Sequence, residues 1–442
     1  MTIELLGNVL PDSSIANASG HLEIGGCDTV SLVEEYGTPL YVYDEATLRA
    51  RCREFVQEFS NVYSDVEIVY ASKALLSLWM ASIIKEEGIG LDVVSGGELA
   101  LAQEVQFPPG KVYFHGNNKT PEELREAIRY RIGYVVVDNL HELGLIEGIC
   151  KTEGVIQNVL LRVTPGFDVH THAYTATGVL DSKFGAQIVT GMASELLLQA
   201  LKSKHVTVRG LHFHLGSPIP ELQDYVKGIE IVLDFAAKAV TEGLQLEVLN
   251  VGGGFAIPYT RSDSAPTVKE YANTIATGVL EGCRKRGIAL PRLVIEPGRS
   301  IVGTAGVAFY TVGSVKEIPG IRIYCAVDGG MGDNIRPALY GSSYEAILAN
   351  RVTHEATSVV TIVGKYCESG DILVRDIKLP SVSAGDIVAI PVSGAYCLSM
   401  SSNYNMALQP AVVLVDDEGS RIVRRRQTFH DLIAAEKATL IH

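Results

Sequence analysis

A repeated alternation of short apolar runs with amphipathic helical stretches occupies the chain from residue 39 to about residue 305, and it restricts the fold more than any other feature. Each run is rich in β-branched residues, and a helical pattern follows it. In TPEELREAIRY, for example, Thr120 is placed to cap the helix, Pro121 takes the first helical position and Glu123 completes a capping box. We predict strands over residues 66–71, 90–95, 111–116, 134–138, 158–163, 208–216, 247–254 and 293–298.

Continuously apolar strands separated by helices indicate a parallel sheet that is buried on both faces. Eight such units favour a closed, TIM-like (β/α)8 barrel over an open doubly wound sheet, and we assign residues 39–305 to it. From residue 306 to residue 442 the pattern changes to strands and turns without long helices, which predicts a second, mainly β domain of the sandwich or barrel type. Residues 1–38 are predicted to contribute to that β domain. Two domains also suit a length of 442 residues, because single cores rarely grow so large.

The composition excludes several classes of protein. A formal net charge of -14 argues against a nucleic-acid partner, since phosphate binding needs a basic surface. Seven cysteines are scattered without a CxxC pair or metal-ligand spacing, which is typical of a reducing compartment. The first residues, MTIELLGNVL, lack the features of a secretory signal, and no apolar run is long enough to span a bilayer. We therefore predict a cytoplasmic protein that does not bind a membrane.

A barrel of this kind builds its active site from side chains at the carboxyl ends of its strands. Ten polar or glycine positions lie at or just after the ends of the predicted strands. We interpret two of them, His115 and Asp138, as ordinary polar residues at the start of loops. The remaining strand-end residues are candidates for the site: Lys73, Asp92, Arg162, His214, Gly252, Gly253, Gly254 and Glu296.

Lys73 is the candidate with the most specific chemistry. Most lysines are solvated surface charges, but an amine that emerges from a strand end into a cavity can condense with an aldehyde. The glycines of NVGGGF follow the seventh predicted strand, where barrels commonly hold a phosphate, although three glycines also suit a tight turn. A Schiff-base lysine near a phosphate site is the hypothesis that these positions favour.

Three further groups near strand ends agree with that hypothesis. Glu296 could hold a heteroaromatic nitrogen in its protonated form, and Arg299 could clamp a phosphate or carboxylate, while a structural ion pair is the alternative. His212 and His214 lie on one face of a strand, but the sequence offers no third metal ligand at a persuasive spacing, so we predict no metal site. A histidine packed on a cofactor ring, with Ser217 bonding a phosphate, is compatible with the rest.

The predicted β domain contains three glycine-flanked polar loops, which are plain turns in many β proteins. They carry Arg336, Tyr340 and Tyr396, and the pair Cys367 and Glu368. A partly exposed thiol beside a carboxylate can serve as a proton donor.

Ten motifs occur in family order over nearly the whole chain: YASKALLS, LDVVSGGEL, TGVLDSKFGA, HFHLGS, NVGGGF, EPGRSIV, DGGMGDNIRPALY, GKYCESGD, DIKLP and GAYCLSMSSNYN. Together they resemble the diaminopimelate decarboxylases, fold-type III pyridoxal-phosphate enzymes that share the alanine racemase-like fold. The resemblance implies decarboxylation of meso-2,6-diaminoheptanedioate to L-lysine and CO2, the last step of lysine biosynthesis. The stretch SSNYNMALQPAVVLV departs from the family pattern, which has an arginine-proline pair after YN.

The resemblance also implies roles for individual residues. Lys73 would form the Schiff base with pyridoxal 5'-phosphate, Glu296 would contact the pyridinium nitrogen, and His214 would stack on the ring, supported by Arg162 and with Asp92 on the Lys73 side. The residues implied for the phosphate are Ser217, Gly253, Gly254, Arg299 and Tyr396, and Gly252 is implied as a further cofactor-binding residue. Those implied for the substrate are Arg299, Arg336, Tyr340, Glu368 and Tyr396.

In this family two subunits share each active site, with the partner subunit's Cys367 and the partner subunit's Glu368 reaching into it. A homodimer is therefore implied, with Cys367 as the candidate proton donor. The alternatives are a sister decarboxylase that acts on another basic or carrier-bound amino acid, and a non-catalytic regulatory homologue. The regulatory homologue would be expected to lack the lysine or the thiol, and both are present.

Overall fold

The computed structural model of the chain describes residues 7–167, 178 and 181–439. Within these residues the chain forms two compact units. The barrel unit contains Cys52–Ala256 and Ala265–Ser300, and the β unit contains the described parts of residues 1–51, 257–264 and 301–442. Part of the TGVLDSKFGA motif and the two ends of the chain, which we assigned to the β domain, lie outside the described residues.

The barrel unit contains eight parallel strands that close on themselves. The first strand pairs with the second and the eighth, and the fifth pairs with the fourth and the sixth, so the described strands form a closed ring. A two-residue strand, Ala186–Gln187, adds to the fifth. In chain order the eight strands are Val66–Ala71, Gly90–Val93, Val112–Phe114, Tyr134–Val137, Gln157–Thr164, Val206–His212, Val248–Asn250 and Arg292–Ile295.

Amphipathic helices alternate with these strands, as the sequence predicts. The Thr120 capping box is confirmed, because Thr120 Oγ1 accepts from Glu123 N and Glu123 Oε2 accepts from Thr120 N at 2.9 Å. Among the described residues, no helix combines the length and apolar composition that crossing a membrane requires. The helices between barrel strands are Leu78–Glu86, Gly96–Glu104, Pro121–Tyr130, Leu140–Glu153, Met192–Lys202, Leu222–Thr241 and Val268–Arg286, and Glu45–Ser60 precedes the first strand.

A layer of apolar side chains fills the barrel interior. Its members come from six different strands and are almost fully buried: Val69, Tyr113, Val136, Leu160, Val248 and Val294. Continuous burial on both faces explains why these strands are apolar along their length rather than alternating. Polar side chains are therefore left to the strand ends.

The β unit is built on a nine-stranded sheet and a small three-stranded sheet. Its helices are Thr29–Tyr36, Arg336–Tyr340 and Phe429–Lys437. The larger sheet contains Leu40–Asp44, Gly306–Ile318, Arg322–Val327, Ile347–Leu348, Ser358–Val363, Ile372–Leu379, Ile387–Ile390, Ala411–Asp416 and Gly419–Arg424, and the smaller one Ile15–Ala16, Leu22–Ile24 and Cys27–Asp28. The predicted combination of a (β/α)8 barrel with a mainly β second domain is confirmed.

One segment differs from the boundaries that we assigned from the sequence. We placed residues 39–44 at the start of the barrel, but Leu40–Asp44 pairs with Gly306–Ile318 and Ala411–Asp416 in the sheet of the β unit. All five of its residues are buried, so its apolar pattern is the same as that of a barrel strand. Local sequence alone does not distinguish the two locations.

Candidate functional site

Lys73 lies in a short turn, Ser72–Ala74, that directly follows the first barrel strand. This turn is tied to the second strand because Ser72 N donates to Asp92 Oδ1 at 3.1 Å. Burial has the largest effect on the pKa values of Asp92, which is raised to about 6, and of His214, which is lowered. The positive charge of Lys73 acts on both pKa values, so the exposed Lys73 side chain belongs to the same end of the barrel.

Three nitrogen atoms surround the buried carboxylate of Glu296, which follows the eighth strand. Asn250 Nδ2 donates to Oε1 at 2.7 Å, and His115 Nε2 lies 2.9 Å from the same oxygen. His212 Nε2 lies 3.3 Å from Oε2. The rings of His115 and His212 pack edge to face, with centroids 4.9 Å apart. Glu296 is therefore held by side chains from three other strand ends.

The electrostatics of this cluster favour an ionised carboxylate. Burial alone would raise the pKa of Glu296, but the charge and hydrogen bonding of His115 and His212 hold that pKa well below its usual value. Burial lowers the pKa of His212 to about 4, so at neutral pH its ring is uncharged and donates through Nε2. An ionised carboxylate in such a buried position can stabilise a protonated heteroaromatic nitrogen.

The three glycines after the seventh strand form a tight turn against neighbouring backbone. Gly252 and Gly254 have φ values of +73° and +111°, and a Cβ on Gly253 would lie 2.1 Å from the Glu296 carbonyl oxygen. Gly252 N donates to Asn250 Oδ1 at 2.9 Å, and Gly253 N donates to His214 Nδ1 at 3.2 Å. Two of the three amides are thus bonded within the protein, and the turn orients the His214 ring.

The other residues predicted to contact a phosphate in the barrel unit lie together. Arg299 NH2 donates to Ser217 Oγ at 3.4 Å, although these residues are 82 positions apart in the sequence. Arg299 is buried and begins the short helix Arg299–Val302. A buried guanidinium beside a hydroxyl is a suitable site for an anion.

Arg162, near the end of the fifth strand, is opposite His212 in the strand register. Its guanidinium lies over the Phe184 ring at 4.5 Å, and burial lowers its pKa against the charges of Asp138, Glu296 and Asp92. Asp138 itself accepts a hydrogen bond from Gly185 N at 2.8 Å. This bond ties the end of the fourth strand to the segment after the fifth, and the interpretation of Asp138 as an ordinary loop residue stays a prediction.

In the β unit, Arg336 is enclosed by aromatic rings. Its guanidinium lies 5.4 Å from the ring centroids of Tyr340 and Tyr396 and 5.6 Å from that of Tyr259. Arg336 Nε donates to Tyr344 Oη at 3.0 Å. The side chain is buried, and this aromatic box holds its planar cation in one orientation.

Cys367 and Glu368 lie in a loop of the β unit, and Cys367 is exposed. Cys367 N donates to Asn405 Oδ1 at 3.3 Å, and Tyr404 Oη donates to Glu368 Oε1 at 2.8 Å. Both partners belong to SSNYNMALQPAVVLV, the stretch that departs from the family pattern. The backbone of Asn405 is strained, with φ of +50°. The unusual stretch therefore contacts the loop that carries the predicted proton donor.

Comparison with known proteins decides the family. A sequence model described as pyridoxal-dependent decarboxylase, pyridoxal binding domain, matches residues 45–303. The diaminopimelate decarboxylase of Bacillus subtilis (strain 168) is 47% identical over 429 residues, which cover 96% of this chain and 97% of that protein. This chain belongs to the diaminopimelate decarboxylase family.

Solved structures agree with membership of the diaminopimelate decarboxylase family. The crystal structure of the M. jannaschii enzyme in co-complex with L-lysine matches with a TM-score of 0.91 at 34% identity, covering 98% of each chain. That of the Helicobacter pylori enzyme complexed with L-lysine matches with a TM-score of 0.86 at 29% identity, covering 93% of this chain and 100% of the other. The resemblance inferred from the ten motifs is confirmed.

Sequence reasoning missed two residues of the site in this member of the diaminopimelate decarboxylase family. His115 was set aside as a loop residue, and Asn250 was read only as part of the glycine motif. Both end barrel strands, and that position was the available signal. Their partner, Glu296, is 181 and 46 residues away, so no local pattern connects them.

Three side chains that could bind a metal ion converge in the structure, although the sequence did not connect them. We found no third ligand near the paired histidines, but His115, His212 and Glu296 place ligand atoms within 4.8 Å of one another. His214 instead accepts from the glycine turn. Asn250 donates an N–H group to the carboxylate of Glu296. An amide N–H group donates hydrogen bonds and does not bind metal ions, so this contact is typical of a hydrogen-bonded cluster.

Proposed function

We propose that this chain decarboxylates meso-2,6-diaminoheptanedioate to L-lysine and CO2 with pyridoxal 5'-phosphate, and is thus a carboxy-lyase. The observation that carries the proposal is the buried, ionised Glu296 at the carboxyl end of a barrel that also presents Lys73. Family membership over nearly the full length supports it, because the curated relatives are diaminopimelate decarboxylases.

The residues of the barrel unit fit the cofactor. Lys73 supplies an amine for its aldehyde, and Glu296 supplies an acceptor for the ring nitrogen. Ser217 and Arg299 supply a hydroxyl and a cation for its phosphate, beside the glycine turn. Bound pyridoxal phosphate provides an electron sink for the bond to the departing carboxylate.

The side chains around that position each have a physical task. Glu296, ionised and held by three nitrogen atoms, keeps a proton on the ring nitrogen. His214 would pack against the ring, in the orientation that the hydrogen bond from Gly253 N gives its imidazole. Lys73 would supply the amine that holds the cofactor aldehyde in the absence of substrate. Asp92 and Arg162 would contribute charges of opposite sign to this end of the barrel, although burial raises the pKa of Asp92 and lowers that of Arg162.

Residues of the β unit are proposed to act on the substrate. Arg336, enclosed in its aromatic box, would bind a carboxylate together with Tyr340, and Tyr396 would contribute to the phosphate and substrate contacts. Glu368 would accept a hydrogen bond from the distal amine. Cys367 would donate the proton that replaces the departing carboxylate.

We also propose a cytoplasmic homodimer with shared active sites. All seven cysteines are free thiols among the described residues, which suits a reducing compartment. Cys367 is exposed in the single chain. Exposure there is required if this side chain is to enter the active site of a partner subunit.

A CO2-release assay tests the proposed function. Purified protein is given pyridoxal phosphate and, in separate reactions, meso-2,6-diaminoheptanedioate, lysine, ornithine or arginine. We expect release from meso-2,6-diaminoheptanedioate alone, with L-lysine formed in equal amount and a requirement for the cofactor. Faster release from ornithine or arginine would assign a sister decarboxylase, and absence of release from all four would contradict the enzymatic role.

A further inference from the structure

Glu296 is contacted by three side chains of the protein in addition to its proposed contact with the cofactor. An ionised carboxylate has about four lone-pair directions. Asn250 and His212 occupy one each through hydrogen bonds of 2.7 and 3.3 Å. His115 Nε2 lies 2.9 Å from Oε1, outside hydrogen-bond geometry, and blocks a third direction. Among the residues that the structure describes, nothing occupies the remaining direction, which is available to an external donor.

We propose that His115, His212 and Asn250 are positioning residues, which keep Glu296 charged and direct its remaining acceptor site toward the ring nitrogen of the cofactor. This inference rests on the proposed function and adds to it a set of three nitrogen-bearing side chains that fixes the protonation state of the cofactor ring. None of the three residues needs to touch the substrate.

The strand arrangement explains why these three can act as a rigid support. His212 and Asn250 are paired in register on neighbouring strands, and Asn250 is paired with Val294, two residues before Glu296. His115 follows the third strand and reaches the same carboxylate from elsewhere in the ring. Contacts on more than one side leave little freedom for the carboxylate to rotate.

The position of the proton between the ring nitrogen and Glu296 determines the direction of the expected change in ring protonation. A donor to Glu296 stabilises its anion, so the proton shared with the ring nitrogen stays on nitrogen. Loss of a donor makes the carboxylate more basic and moves that proton toward oxygen. The ring then becomes a weaker electron sink, and its attachment to the protein weakens as well.

The test compares ring protonation in reconstituted variants. Wild-type protein and the variants His212→Phe, His212→Gln, His115→Phe, His115→Gln and Asn250→Asp are loaded with pyridoxal phosphate labelled with ¹⁵N in the ring. Nitrogen NMR reports whether that atom is protonated, and titration gives the dissociation constant of the cofactor. Asn250→Asp is informative because it keeps an acceptor for Gly252 N while it replaces the donor to Glu296 with a like charge.

We expect a protonated ring in the wild type and, in the two Phe variants and Asn250→Asp, a ¹⁵N shift toward the unprotonated value with cofactor binding weaker by about tenfold. The Gln variants keep a donor and should recover most of the wild-type signal. Tyr113→Phe, which removes a hydrogen bond to Glu67 at the other end of the barrel, should leave the signal unchanged.

Thermal unfolding of each cofactor-free variant shows which of them fold. Should His212→Phe not fold, the two His115 variants provide the same comparison. A wild-type ¹⁵N signal and affinity in the folded Phe variants would overturn the inference while leaving the proposed function intact. Wild-type protein that takes up no cofactor would overturn both.

Discussion

Lys73 shows how a reactive residue depends on its surroundings rather than on its own local structure. It is an exposed lysine in a three-residue turn. Its neighbours give it significance. Burial raises the pKa of Asp92 and the charge of Lys73 opposes that rise, whereas burial and the charge of Lys73 both lower the pKa of His214. A lysine at the end of any other surface strand would have the same local geometry without this environment.

Replacement of Lys73 by alanine removes the amine that can join the cofactor covalently. We expect the purified variant to lose both the visible absorbance of the bound cofactor and CO2 release, while its thermal unfolding changes little because the side chain is exposed. Lys111→Ala, at the amino end of the barrel, removes a lysine that donates to Gly88 O and should keep both properties. A coloured, active Lys73→Ala protein would exclude Lys73 from the mechanism.

Asp333 in the β unit is expected to make stability depend on pH. Burial raises its pKa to about 7, even though Tyr310 Oη donates to it at 2.5 Å. The folded protein therefore keeps Asp333 protonated at pH values where the unfolded chain has already ionised it. This contribution to stability is complete below about pH 4 and is lost as the pH rises to about 7, by roughly 3 to 4 kcal/mol.

The matched variant for this effect is Asp333→Asn, which cannot titrate. Urea unfolding of both proteins at several pH values between 4 and 8 gives the difference in the free energy of unfolding. We expect the wild type to lose stability relative to the variant as the pH rises through this range. A difference that is independent of pH would show that Asp333 ionises equally in the folded and unfolded states.

At the scale of elements, the loop between the seventh strand and Phe255 both packs closely against neighbouring backbone and orients a side chain of the proposed site. Its glycines approach the backbone of Phe213, Gly216 and Glu296 too closely for a side chain. The same turn supplies the N–H group that orients His214. A change in this loop should therefore affect folding and cofactor binding together.

Gly253→Ala tests this coupling, since its Cβ would lie 2.1 Å from a backbone oxygen that cannot move independently. We expect a loss of about 3 kcal/mol or more in the free energy of unfolding and a loss of cofactor retention. The control is Gly144→Ala, in the helix Leu140–Glu153, where a Cβ meets nothing within 4 Å. That change should stabilise the protein by up to about 1 kcal/mol. Equal melting temperatures for the two variants would contradict the steric argument.

At the scale of the whole molecule, the proposed sharing of active sites between subunits predicts complementation. Lys73→Ala and Cys367→Ala each inactivate a different part of the site. If the thiol comes from the partner subunit, a mixed dimer contains one site with both residues intact. Dissociating and reassociating an equal mixture should therefore restore about one quarter of wild-type activity.

The controls are the two variants treated separately, which should stay inactive. A mixture that remains as inactive as its components, although mass measurements show mixed dimers, would mean that Lys73 and Cys367 act from the same subunit. A monomer at all concentrations would contradict the dimer itself.

The sequence alone determined the barrel and the main candidates for its chemistry. Eight apolar runs with helices between them allow few arrangements, because continuous burial on both faces requires a parallel sheet. Once the barrel is assigned, the strand ends identify Lys73, Glu296 and His214. The capping box at Thr120 could also be predicted from the sequence, since it depends on residues only three positions apart.

Only the tertiary structure decided which distant residues act together. Leu40–Asp44 has the pattern of a barrel strand, yet its hydrogen bonds place it in the other sheet. His115, His212 and Asn250 converge on Glu296 from positions up to 181 residues away. Local patterns record which face of an element is buried, whereas the partner of a buried polar group is set by how the strands close into a ring.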